Sequence, residues 1–207
     1  MQMARYPSLS LPEAELTAWF DEPGHQAWLI VGLGSASVAA IAFFWFIGVI
    51  RRRLGEHEDQ FFATVFFGSG LVYVTVSLVG SAAIASPAVA TTALDAAEVS
   101  PSSASLAGGL GAALLLVVAP RLQAVFIFTT STVFLRSQVL PSWVAVVGYI
   151  VGTAMFIAPI VWRSLGLAFP IWVSVVSVVL LVRSSSNLGI GETVGDGHDG
   201  ETGEVSA

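Results

Sequence analysis

Long stretches without a single charge alternate with short polar breaks along this chain. Residues 26–50 are uncharged and mostly apolar. At 1.5 Å per residue they make about 37 Å of helix, enough for a hydrocarbon core of about 30 Å with some tilt. The run stops at Arg51-Arg52-Arg53 and the polar turn from Leu54 to Gln60, and a second uncharged run covers 61–85. Residues 86–105 carry Pro87, Asp95, Glu98 and Pro101 among small side chains and read as a loop. The third run, 106–135, is interrupted by Pro120-Arg121. Each half would make only about 21 Å of helix, so one long span, kinked or loosened near Pro120, is expected rather than two. Residues 143–162 and 167–182 supply a fourth and a fifth span, with Pro170 in a first turn where its missing N–H does no harm.

The pattern therefore predicts an all-α fold, a polytopic transmembrane helical bundle of five spans. Residues 1–25 are expected to form an extracytoplasmic interfacial lead-in, in which 11–20 suit a short amphipathic helix. Residues 26–183 are the bundle, and 184–207 read as a disordered acidic cytoplasmic tail holding five of the fourteen acidic residues. No internal repeat is visible, and five unequal spans do not suggest the inverted repeats of many secondary transporters.

Composition agrees with the bilayer as solvent. Only 11% of the residues are charged and 55% are hydrophobic, against about 25% charged in soluble domains. All eight basic residues are arginine. The absence of lysine excludes a retinal or pyridoxal Schiff base and a P-loop. The absence of cysteine excludes disulfides, thiol catalysis and thiolate metal sites. Arginine in place of lysine, with much alanine, valine and glycine, suits a bacterial genome rich in G and C. Arginine bias in the short loops sets the orientation. With the amino terminus outside, Arg51, Arg52, Arg53, Arg136 and Arg183 fall on the cytoplasmic side, and only Arg5 and Arg163 lie outside. Trp45 and Trp143 then sit near the inner interface and Trp28, Trp162 and Trp172 near the outer one, as an aromatic belt requires.

Arg121 is the one charged residue inside a span, a position that by default marks a functional site. Its structural reading is a guanidinium that snorkels or pairs with carbonyls freed at Pro120. Its functional reading is a ligand-binding site for an anion or lipid headgroup, with Asp95 or Glu98 as resting counter-charge. Thr129, Thr132 and Arg136 share its helical face to within about 80°, so the ligand-binding candidates are Arg121, Thr129 and Thr132. Hydroxyls in spans also bond their own backbone or a neighbouring helix, which is the alternative reading of the same stripe.

The other spans contain no Asp, Glu, His, Lys or Arg. Proton relays usually use such groups, and haem needs histidine at membrane depth, so neither is expected. His57 with Glu56, Glu58 and Asp59, and His198 with Asp196 and Asp199, lack the spacing of a zinc or calcium site and read as solvated loop charge. No span pairs a base with Ser35, Ser69 or Ser131. No catalytic residues, no metal site and no cofactor are therefore expected, and the chain reads as not an enzyme. Small residues recur instead: Gly32 and Gly34 with Ser35, Gly68-Ser69-Gly70, Ser77 with Gly80-Ser81, Gly108-Gly109-Leu110-Gly111, and the G-x-x-x-G pair Gly148 and Gly152. These allow close helix approach within the bundle or to another subunit.

From Arg121 through Thr129-Thr130-Ser131-Thr132 to Arg136, and on through Leu140-Pro141-Ser142-Trp143, Gly148-Tyr149 and Phe169-Pro170-Ile171-Trp172, the chain resembles an uncharacterised family of small bacterial multi-pass integral membrane proteins. The resemblance covers residues 121–183. It implies a helical membrane protein in which Arg121 and the Pro141-Ser142-Trp143 turn belong to the family pattern, and it brings no activity. The family tends to carry a basic residue where this chain has Ser142.

The function expected from these features is that of a non-enzymatic membrane component in the bacterial inner membrane that interacts with lipids or proteins. Membrane lipids are the expected partners, with a homo-oligomer or a membrane-protein partner as candidates and no nucleic acid. The alternative is a small transporter or channel subunit for an anionic solute, using Arg121 and the Thr129/Thr132 stripe. An enzyme acting on lipid headgroups through His57 and Glu58 ranks last, because nothing in the sequence positions those residues.

Overall fold

The computed structural model of the chain describes residues 12–54, 60–94, 99–137, 140–157 and 167–192. Among them every regular element is helical and no strand occurs. In chain order, α1 spans Glu13–Asp21, α2 Pro23–Leu54, α3 Gln60–Ala93 and α4 Pro101–Ala113. A π-helical turn, Leu114–Val118, joins α4 to α5 (Ala119–Ser137), and α6 (Ser142–Ile157) and α7 (Ala168–Glu192) follow. Pro23–Arg52, Ala63–Ala93 and Pro101–Ser137 are each long and apolar enough to cross a membrane, whereas Ser142–Ile157 and Ala168–Val182 are shorter apolar stretches.

The expected loop at 86–105 is corrected at both ends. At its start α3 continues through Pro87 to Ala93. Proline has no N–H to give the carbonyl four residues back, and here that carbonyl, Ala83 O, instead accepts from Ser86 Oγ at 2.8 Å. Thr91 and Thr92 then donate to the carbonyl of Ala88. At its end Ser100 caps α4, its Oγ accepting from the Ser103 amide at 3.3 Å with Pro101 in the first turn. Asp95 and Glu98 lie outside the described residues.

The third apolar run is one continuous helix, Pro101–Ser137, of 37 residues, well beyond the roughly 20 that a span needs. Just before Pro120 its pairing widens to the π pattern, with the Ala119 amide donating to Leu114 O. A π turn shifts the donor–acceptor register by one residue where proline interrupts the α ladder. α7 extends to Glu192, so residues 184–192 of the expected tail have helical backbone, and 193–207 lie outside the described residues. Once a helix is nucleated each further residue adds a bond, which carries it past the end of the apolar run.

The chain divides after Phe169 into two compact units. In the first, α2 packs on α3, α3 on α4 and α5, and α5 on α6. One core is aromatic. Phe43 of α2, Phe66 and Tyr73 of α3, Phe126 of α5 and Phe169 form a continuous set of rings, with centroids 4.9 Å apart for Phe66 and Phe126 and 5.1 Å for Phe43 and Phe126. A second cluster, Leu29, Ile84, Ala85 and Ala88, receives Trp19 and Phe20 from α1. The end of α1 is closed by α2: Gln26 Nε2 donates to Phe20 O at 2.8 Å, and His25 Nδ1 lies 3.1 Å from Trp19 O with its ring stacked on the Trp19 indole at 4.2 Å. These contacts satisfy carbonyls that a helix end leaves open. In the second unit, Ser174 and Ser177 each donate to a carbonyl of their own helix, Pro170 O and Val173 O, at 2.8 Å.

Glycine decides how closely α3 and α4 approach. A Cβ added at Gly111 would lie 2.7 Å from Gly80 O, a backbone atom that cannot move aside, and one added at Gly80 would lie 2.8 Å from Leu115 Cγ. Gly111→Val should therefore separate α3 from α4 and cost about 1–3 kcal/mol. Gly34→Ala, where an added Cβ meets nothing within 4 Å, should leave stability unchanged. Thermal unfolding of the two variants in the same detergent checks the contrast.

Candidate functional site

The three residues singled out by sequence all lie on α5, but they do not converge. The Arg121 guanidinium turns back along its own helix and donates through Nη1 to Val117 O, in the π turn upstream of Pro120. Thr129 is buried and donates to Val125 O. Thr132 donates to Phe128 O at 2.8 Å and shares a 2.6 Å hydrogen bond with the Tyr149 hydroxyl of α6. Arg121 and Thr129 are about 12 Å apart along the axis, and each is held by a different carbonyl. Arg136, at the end of α5, is exposed. Each of these donors has a partner within α5 or on α6, save Arg121, whose partner lies in the π turn just before α5.

The hydroxyl run Thr129 to Thr132 follows the same rule. Thr130 is fully buried and donates to Phe126 O at 2.7 Å. Ser131 is the exception, since its buried Oγ has no hydrogen-bond partner among the described residues. Gly152 completes the α5–α6 contact: an added Cβ would lie 2.8 Å from Phe128 Cε1, so the G-x-x-x-G pair is used inside the chain at this position.

Helices α3 and α5 hold a polar set that charge-based reading overlooks. The Tyr73 hydroxyl lies beside the side chains of Gln123 of α5 and Ser77 of its own helix. Gln123 is only 8% exposed. Ser69, Tyr73, Ser77 and Ser81 recur at four-residue intervals on α3, which places them along one face. Ser69 donates to Phe66 O at 3.1 Å. The available signal was an amide in the third span and a four-residue hydroxyl period in the second. Neither carries a charge, so neither stands out against the cost that flags Arg121.

The remaining sequence candidates are spread out. His57, Glu58, Asp196, His198 and Asp199 lie outside the described residues. Among the described residues no group of three or more His, Asp or Glu side chains is placed to hold a metal ion. No protein-family description, no curated protein and no solved structure matches this chain.

Gln123→Leu removes the interhelical partner of Tyr73 and should lower stability by about 1–2 kcal/mol. Tyr149→Phe should cost less, about 0.6 kcal/mol, because Thr132 keeps Phe128 O. Equilibrium unfolding in mixed micelles should rank the two variants in that order.

Proposed function

We propose that this chain is a non-enzymatic integral membrane component that works through its lipid- and protein-facing surface. One observation carries the reading: the intramembrane cation, Arg121, is committed to the carbonyl of Val117 beside Pro120, and its hydroxyl neighbours are committed to carbonyls of their own helix or to α6. The charged group is thereby used within its own helix, and the neutral Tyr73–Gln123–Ser77 set links α3 to α5. The proposed arrangement has five spans, with α6 and α7 as the fourth and fifth and the third loosened or kinked near Pro120. It lies in the bacterial inner membrane with the amino terminus outside and the carboxyl terminus cytoplasmic. It belongs with the small bacterial multi-pass family that residues 121–183 resemble, uses no cofactor, and has membrane lipids and a second copy or another membrane protein as partners.

A π turn beside a partly exposed arginine favours the second reading, a transporter or channel subunit for an anionic solute at Arg121 and the Thr129/Thr132 stripe, since π turns concentrate at functional positions. Arg121→Gln separates the two. The membrane-component reading expects lower thermal stability, by about 1.5–3 kcal/mol for a lost charged hydrogen bond. It also expects anion flux from protein-loaded liposomes equal to that of empty ones for both wild type and variant. Flux that is present in the wild type and lost in a stable, abundant variant establishes transport instead. A phosphatase reporter fused after Ala207 should be inactive and a cytoplasmic fluorescent reporter bright; the reverse pattern overturns the orientation.

A further inference from the structure

The cytoplasm-assigned corner of α2 and α3 joins charge, exposure and open space. Arg51 and Arg52 are exposed, and neither forms an ion pair among the described residues. The Arg51 guanidinium is held over the Phe67 ring of α3, 5.6 Å from its centroid. Neither α2 nor α3 contains a single Asp or Glu to neutralise the pair. One turn before the arginines, Gly48 is exposed, and a Cβ added there would meet nothing within 4 Å. Trp45, 76% exposed, lies with Gly48 and Arg52 within about 60° on the helix surface. Along the axis Arg52 is about 6 Å beyond Gly48 and about 10 Å beyond Trp45.

From this corner we infer a binding site for an anionic phospholipid, with Arg51 and Arg52 on the phosphate and the glycerol and upper acyl region against Trp45 and Gly48. Guanidinium groups fit phosphate oxygens with paired N–H donors and are weakly hydrated, so they suit a headgroup at the edge of the hydrocarbon. The cation–π contact fixes one guanidinium in place before the lipid arrives. An indole at this depth offers an apolar body to the chain and an N–H toward the ester region. Charge complementarity selects a lipid over a second copy of this chain, whose own corner would bring two like-charged pairs together. The assignment rests on the membrane-component reading above and names its partner at this corner.

Native mass spectrometry of the full chain in a non-ionic detergent tests it, with dioleoyl phosphatidylglycerol and dioleoyl phosphatidylcholine added at equal concentration. The expected result is retention of phosphatidylglycerol several-fold above phosphatidylcholine, falling to parity in the double variant Arg51→Gln/Arg52→Gln. Gly48→Leu keeps both charges and has room for its side chain, and it should reduce phosphatidylglycerol retention at unchanged thermal stability. Equal retention by wild type and both variants overturns the site. So does displacement by inorganic phosphate, which would make it a soluble-anion site. Retention that appears only after Glu56, Glu58 and Asp59 are neutralised also overturns it, because the arginines would then be paired within the chain. Loss of phosphatidylglycerol in Arg121→Gln instead moves the lipid elsewhere and leaves the broader reading standing, as does a homodimer broken by Gly48→Leu. Release of the native chain from membranes by alkaline carbonate defeats the broader reading itself.

Discussion

Hydrocarbon offers no hydrogen bond to a backbone carbonyl, so each proline within an apolar helix creates a vacancy that the chain must accommodate through its own side chains or backbone. Two such positions organise this molecule. At Pro87 the neighbouring serine, Ser86, supplies the donor to Ala83 O. At Pro120 the helix instead widens to a π turn that shifts the register of the ladder, and the Arg121 guanidinium adds a side-chain bond to Val117 O, one carbonyl beyond the one that Pro120 leaves without an α-helical donor. These repairs let α3 and the Pro101–Ser137 helix pass through their prolines as unbroken elements. The same requirement accounts for the many Ser and Thr side chains that donate to carbonyls three or four residues back.

Two of the side-chain ties between helices join neutral groups. Tyr73 with Gln123, and Thr132 with Tyr149, tie α5 to α3 and to α6. In hydrocarbon a neutral hydrogen bond holds two helices in register without the desolvation cost of a buried charge. Around these ties the packing is done by rings and glycines. Phe43, Phe66, Phe126 and Phe169 fill the space between helices, and Gly80 with Gly111 and Gly152 with Phe128 set the closest approaches. Other glycines have a different use. Gly34 and Gly48 face open space, and Gly48 lies one turn before two exposed arginines, which separates an internal packing surface from an outward one.

The amphipathic stretch before the first span also has a packing role. Trp19 and Phe20 bury against α2 and α3, and His25 and Gln26 close the end of α1. A short helix of this composition can lie on a membrane surface by itself. Here its aromatic residues have a protein surface to cover, and the side chains that cap it come from the first turn of the helix it leads into.

Much of the architecture was legible without coordinates, because hydrophobic length is a local property. The cores of the long apolar helices, the stop at Arg51-Arg52-Arg53 and the cost of Arg121 all follow from residue type and position along the chain. Helix limits were less legible. The stretch after Ser86 reads as loop by its prolines and small residues, yet Ser86 compensates Pro87 and Ser100 caps α4, and such repairs depend on rotamers rather than composition. The Arg121, Thr129 and Thr132 stripe was correctly placed on one helix, but a shared face does not say what each side chain bonds. Only the structure decided that Arg121 turns back to Val117, a choice of rotamer, and that Thr132 meets Tyr149 and Gln123 lies beside Tyr73, because those two pairings depend on which helix lies opposite and how closely glycine lets it come.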